Sequence, residues 1–138
     1  MKLNYDCVRD VLLSLEETLT IIIDNGEFSY NSLSPNNLIK LSRLSEYSME
    51  DVIYSVLKLG EAGYIKVDIN ESGSDLLDIC ISDIEYEGHE FLQAIKSDTV
   101  WNDVKRVAKK IGSISLPIIS SIASSVLSKL ITKTMGLP

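Results

Sequence analysis

Apolar residues along the chain change their period from block to block, and each block predicts an element. Val8, Val11, Leu12, Leu15 and Leu19 recur at i, i+3, i+4, i+7 spacing, with Arg9, Asp10, Glu16 and Glu17 between them. That pattern predicts an amphipathic helix starting after Asn4 or Asp6. Thr20-Ile21-Ile22-Ile23 is a short β-branched run, closed by the turn signal Asp24-Asn25-Gly26. It reads as a strand that pairs with a later hairpin, while Phe28 to Leu33 shows no clear period. Ser34-Pro35 opens a second helix, serine as cap and proline at the first helical position, with Leu38, Ile39, Leu41 and Leu44 inward. After the turn Ser45-Glu46-Tyr47, Ser48 and Asp51 fit a capping box for a third helix. Met49, Val52, Ile53, Val56 and Leu57 supply its apolar face.

The third helix ends in Leu59-Gly60-Glu61-Ala62-Gly63-Tyr64-Ile65, where Gly63 is suited to the left-handed closing conformation. The period then switches to strand-like runs at 64–69 and 76–81, joined by the polar turn Asn70 to Asp75. Helices two and three followed by a hairpin predict a winged helix-turn-helix. A helix leaves the hairpin near Ile84 to Ile95, with Glu85 or Asp83 as its cap. Ser97-Asp98 starts another, with Val100, Trp101, Val104, Val107, Ala108 and Ile111 on its apolar side. The expected class is α+β, mostly helical: a winged helix-turn-helix body with a C-terminal helical extension.

From Ser113 onward the composition shifts. Ile118, Ile119, Ile122, Val126, Leu127, Leu130 and Ile131 form an apolar stripe recurring every four residues, separated mostly by serines, with Lys129 inside it and Lys133 just beyond. Four residues turn an α-helix by about 400°, so the stripe drifts around the helix. Its expected role is packing, on its own domain or between copies, which makes a homo-oligomer the expectation and leaves membrane contact as the other reading. Seven of the residues 111–128 are serine, which argues against a spanning helix.

Charge divides the chain at the same region. Residues 1–97 carry 18 acidic and 7 basic side chains, and residues 98–138 carry 2 acidic and 6 basic. We therefore divide it into an acidic winged-helix domain, 1–97, and a basic helical extension, 98–138. Such asymmetry points either to surfaces with different partners or to a basic tail that lies back on the acidic body. The third helix presents Glu50, Asp51, Tyr54, Ser55 and Lys58 as candidate partner-binding residues, a set too acidic to favour phosphate contacts. Lys105, Arg106, Lys109 and Lys110 are the candidate nucleic-acid contacts of the alternative, a dimeric DNA-binding regulator.

The chemistry of a catalyst is missing from the sequence. His89 is the one histidine, flanked by Glu87 and Glu90, with no second ligand at metal spacing. Cys7 and Cys80 lack the spacing of a zinc site or a disulfide framework. No phosphate loop or nucleophile motif occurs. The expectation is no enzyme and no cofactor, with His89 in a packing or hydrogen-bonding role.

Tyr5-Asp6 with Val8-Arg9-Asp10, the run Leu59 to Ile65, Glu87-Gly88-His89-Glu90-Phe91-Leu92 and Val100-Trp101 occur in this order. In these residues the chain resembles the domain of unknown function 2513 family, over residues 1 to about 112. Gly88-His89-Glu90-Phe91-Leu92 is the most specific element. The resemblance implies a phage or prophage origin and a cytoplasmic site in a bacterial host cell, and it brings no activity. The reading it leaves is an interaction protein acting on a host or phage protein.

Overall fold

The computed structural model describes residues 1–70, 78–112 and 114–138. The expected hairpin tip with Glu71 and Asp75, and the strand start at Leu76-Leu77, lie outside them. The chain is α+β, with two antiparallel sheets of two strands each among the described residues. In order come α1 (Tyr5–Thr18), β1 (Ile21–Asp24), β2 (Glu27–Tyr30), α2 (Pro35–Leu38), a 3-10 turn (Ser42–Leu44) and α3 (Met49–Glu61). Then follow β3 (Ile65–Ile69), β4 (Ile79–Ile84), α4 (Tyr86–Ile95), α5 (Asp98–Ile111) and α6 (Leu116–Thr134). Two compact units result, Met1–His89 and Glu90–Pro138. Their division falls inside α4, earlier in the chain than the change of charge at residue 97.

In the first unit, α1 starts where the Asn4 side chain accepts the Cys7 N–H at 3.1 Å. It packs on α3, the 3-10 turn and β4, and α3 packs on α2 and β3. Leu12, Leu15, Leu38, Leu44, Val56, Leu59 and Ile81 are fully buried there. The second helix is shorter than its apolar spacing predicts. Ser34 and Asn37 close a complete capping box, but α2 makes one turn before Leu41 goes extended at ψ 143. Asn36, Asn37 and Ser42 are weak helix formers whose side chains compete for backbone groups, so the segment continues only as a 3-10 turn.

α3 ends as its sequence predicts. Gly63 has φ +78, its N–H reaches the Gly60 carbonyl at 3.1 Å, and the Tyr64 N–H reaches the Leu59 carbonyl at 3.0 Å. This is a complete Schellman motif, satisfying carbonyls the helix end leaves open.

The strand expected at Thr20 to Ile23 does not pair with the later hairpin. It pairs with β2, in the register Ile21–Tyr30, Ile22–Ser29, Ile23–Phe28, Asp24–Glu27. Asn25 (φ 51) and Gly26 (φ 79) form the two-residue turn. Positive φ at both central positions matches strand twist, which is why Asn-Gly favours so tight a hairpin. Leu33 takes the place expected of β1: its N–H and carbonyl exchange hydrogen bonds with Ile81, at 2.8 and 2.7 Å. β4 thus bonds β3 on one side and Leu33 on the other.

The second unit is built on a helical hairpin. Ser97 and Ser115 cap α5 and α6, and Gly112 closes α5 at φ +78. Val100, Trp101, Val104 and Ala108 of α5, with Leu116, Ile119, Ile122 and Ala123 of α6, are buried. Val107 and Ile111, expected inside, are exposed. Among the described residues no helix is long and apolar enough to cross a membrane.

Candidate functional site

All eight residues of β1 and β2 are exposed. The register puts Ile21, Ile23, Phe28 and Tyr30 on one face, since directly opposed residues share a face. The other face carries Ile22 and Ser29, with Asp24 and Glu27 at the turn. Ile23 is 77% exposed and Phe28 68%, so the apolar face stands in solvent. Phe28 and Tyr30 meet edge to face, ring centroids 6.2 Å apart, and both rings stay exposed. Both edges of this sheet lack strand partners among the described residues, leaving backbone donors and acceptors open.

At the base of that face lies a hollow of about 260 Å³. Ile21 and Tyr30 form one wall, Leu15, Glu16 and Leu19 of α1 a second, and Asp83, Ile84 and His89 the third. Asp83 is committed in part, its Oδ1 accepting the Ile84 N–H at 2.8 Å. It therefore does not cap α4; the Glu85 carbonyl accepts the first helical bond, from the His89 N–H at 3.0 Å. His89 is exposed at the rim. Among the described residues no group of three His, Cys, Asp or Glu side chains is placed to hold a metal. The hollow joins an apolar wall to two carboxylates, chemistry that receives a cationic side chain with an aliphatic stem.

The candidate partner-binding residues of α3 do not form one outward face. Ser55 is wholly buried, with Val52, Val56 and Leu59. Its hydroxyl makes no hydrogen bond of regular geometry, and its closeness to the Cys7 thiol is a weak contact. Burial raises that thiol to about 11, with Ser55 offsetting part of the effect and Asp51 and Asp10 adding to it. Asp51 is half-buried, and its Oδ2 accepts from the Asn4 amide at 3.5 Å. Its backbone N–H donates to Ser48 Oγ at 3.1 Å, the cap expected there. Lys58 pairs with Glu61 at 2.8 Å and lies 5.3 Å from the Tyr54 ring centre. The Glu61 hydrogen bond holds its ammonium above the ordinary value. Glu50 is exposed and Tyr54 half-exposed.

In the second unit Lys105, Arg106, Lys109 and Lys110 are exposed along α5, Arg106 pairing with Asp103 at 2.9 Å. The stripe on α6 is split. Ile119 and Ile122 are buried, Ile118, Val126 and Leu127 half-buried, and Leu130 and Ile131 exposed.

An α+β body with an uncovered apolar hairpin is the architecture these residues define. The sequence matches the family described as "Hypothetical protein (DUF2513)" over residues 2–115, and the chain belongs to that family. It is also similar to an uncharacterized protein of Haemophilus influenzae, 30% identical over 132 residues, spanning 95% of this chain and 99% of that one. No solved structure matches.

Proposed function

We propose that the chain is a protein-interaction module whose β1–β2 hairpin docks on a basic partner protein. The observation that supports it is the exposed face of Ile21, Ile23, Phe28 and Tyr30. Burying one such side chain is worth roughly 1.5–3 kcal/mol, so a face of this kind left bare is a standing drive to associate. Charge selects the partner. Asp24 and Glu27 at the turn, and Glu16 and Asp83 in the hollow, favour a cationic surface over a second copy of the same acidic unit. The body reads as a winged helix, with β3 and β4 as the wing and Leu33 as the strand beside it.

The regulator reading gains little. α3 has one base, Lys58, already paired with Glu61, beside acids at Glu50 and Asp51. A recognition helix of that charge repels phosphate.

The test compares wild type with Ile23→Asp/Phe28→Asp. Tagged chains retrieve proteins from the bacterium that expresses this one, and a basic protein retained by wild type is purified and titrated. Binding by wild type and loss of at least tenfold in the variant is the expected result. Equal binding by both chains, or a wild-type dimer in light scattering that the variant abolishes, overturns it.

A further inference from the structure

A groove of about 410 Å³ runs between α5 and α6 in the second unit. Its lining is ordered. Val107 of α5 with Val126 and Leu130 of α6 form the floor, and Arg106, Lys129 and Lys133 stand along its rims. Val126, Lys129, Leu130 and Lys133 follow i, i+3, i+4, i+7 spacing, so they share one side of α6 over two turns. The floor is open: Val107 is 37% exposed and Leu130 38%. The one acid in the lining, Asp103, is paired with Arg106, so the rims carry net positive charge. No acidic residue follows Asp103 in the chain.

We propose that this groove binds an acidic amphipathic helix of another protein. Two helices side by side present the seat a third fills, taking apolar anchors at i, i+3 or i+4, and i+7. Two turns of α6 span about 10 Å, the length over which such anchors repeat. Acidic residues flanking the anchors would meet Arg106, Lys129 and Lys133. A second copy placed groove to groove would bring those cations against their equivalents, so charge argues against self-association here. A bilayer surface fits less well, because it takes apolar side chains that project beyond their charged neighbours, and here the apolar atoms are the floor. The site uses none of the hairpin residues, and its success or failure is independent of the hairpin reading.

The test uses the full chain and an 18-residue fluorescein-labelled peptide, with leucines at helical spacing on one face and glutamates elsewhere. Two control peptides are needed, one with the same composition in scrambled order and one with lysine for glutamate. Anisotropy should show binding of the acidic amphipathic peptide alone, weakening as salt rises. Lys129→Glu/Lys133→Glu and, separately, Leu130→Asp should each weaken it by about tenfold or more. Both sites are exposed, and circular dichroism checks that the helices persist. Ile23→Asp/Phe28→Asp should bind the peptide as wild type does. No binding by wild type, or equal binding of the scrambled peptide, overturns the proposal. Capture of phosphatidylglycerol vesicles by a chain that ignores the peptide overturns it in favour of a lipid surface.

Discussion

Gly88 sits in the first turn of α4, where alanine would ordinarily be the better helix former by about 1 kcal/mol. The expected effect of Gly88→Ala is nevertheless destabilising. A Cβ built there would overlap the Tyr64 carbonyl oxygen, lie 2.8 Å from the Tyr64 carbonyl carbon and 3.0 Å from Ile84 Cγ2. The first two are backbone atoms and cannot rotate away. Moving α4 outward to relieve them stretches the bond from the Glu85 N–H to that same carbonyl, now 2.9 Å. It also loosens Ile84, which is 5% exposed. Overpacking of this kind costs about 1–3 kcal/mol, and a lost hydrogen bond about 0.5–1.5. After subtracting the helix-propensity gain, the net loss is about 2 kcal/mol, or roughly 5–10 °C in Tm. Gly60→Ala is the internal control. It is also helical, but its added Cβ meets only the Val67 side chain, at 3.0 and 3.3 Å, so it should change Tm little. Thermal melting by circular dichroism decides; a Gly88→Ala chain as stable as wild type would show that α4 does not seat on Tyr64.

Other outcomes follow from single residues. Gly63→Val should lower stability by more than 1 kcal/mol, because φ +78 is disfavoured for a β-branched residue; an unchanged urea midpoint would refute this. Ser55→Ala should leave the fold intact and raise stability by up to about 1 kcal/mol, since it removes a buried hydroxyl lacking a regular hydrogen bond and adds helix propensity. Cys7, raised from 9.0 to about 11, and Tyr47, raised by burial and by its 2.7 Å bond to Asp10, keep their protons longer folded than unfolded. The Cys7 contribution is complete below pH 9 and fades as pH climbs from 9 to 11, and that of Tyr47 begins to fade only above pH 10, so unfolding midpoints should fall from pH 9 upward. Cys7→Val should shrink that fall, and an undiminished fall would refute the assignment.

The helices were legible where period and cap agree. Ser48, Gly63 and Ser97 mark ends that the hydrogen bonds realise. Ser55 was misplaced by its polarity, although 52, 55, 56 and 59 is the buried i, i+3, i+4, i+7 stripe of α3. Spacing outranks side-chain chemistry for one small hydroxyl in a core. The hairpin had its signal too, since Asn25-Gly26 is followed by Phe28 and Tyr30 in alternation. Three consecutive isoleucines mark a strand, but periodicity does not say which strand is its partner. The tail stripe behaves as its geometry requires. A repeat of four gains about 40° per step on the helix, so contacts made at Ile119 and Ile122 are lost by Leu130 and Ile131.

The residues that carry the family resemblance do their work away from the apolar hairpin face. The run ending in Gly63-Tyr64-Ile65 and the segment holding Gly88 converge on one carbonyl, that of Tyr64, which accepts the Glu85 N–H and lies against Gly88. That junction fixes the start of α4 and with it Ile84 and His89, one wall of the hollow beneath the hairpin. The junction is therefore scaffold for the hollow, and Ile23 and Phe28, the proposed docking residues, stand clear of it. The proposed second docking surface, the α5–α6 groove, has the opposite chemistry, cations around an apolar floor at Leu130 rather than carboxylates beside an apolar face. Taken together, the two proposals give the chain a basic partner at one surface and an acidic partner at the other. Saturating the α5–α6 groove with the acidic peptide should leave the affinity of the hairpin for the proposed basic partner intact, and both should be held by one chain at once. Displacement of either ligand by the other in a two-colour sedimentation experiment would reduce the molecule to a single site.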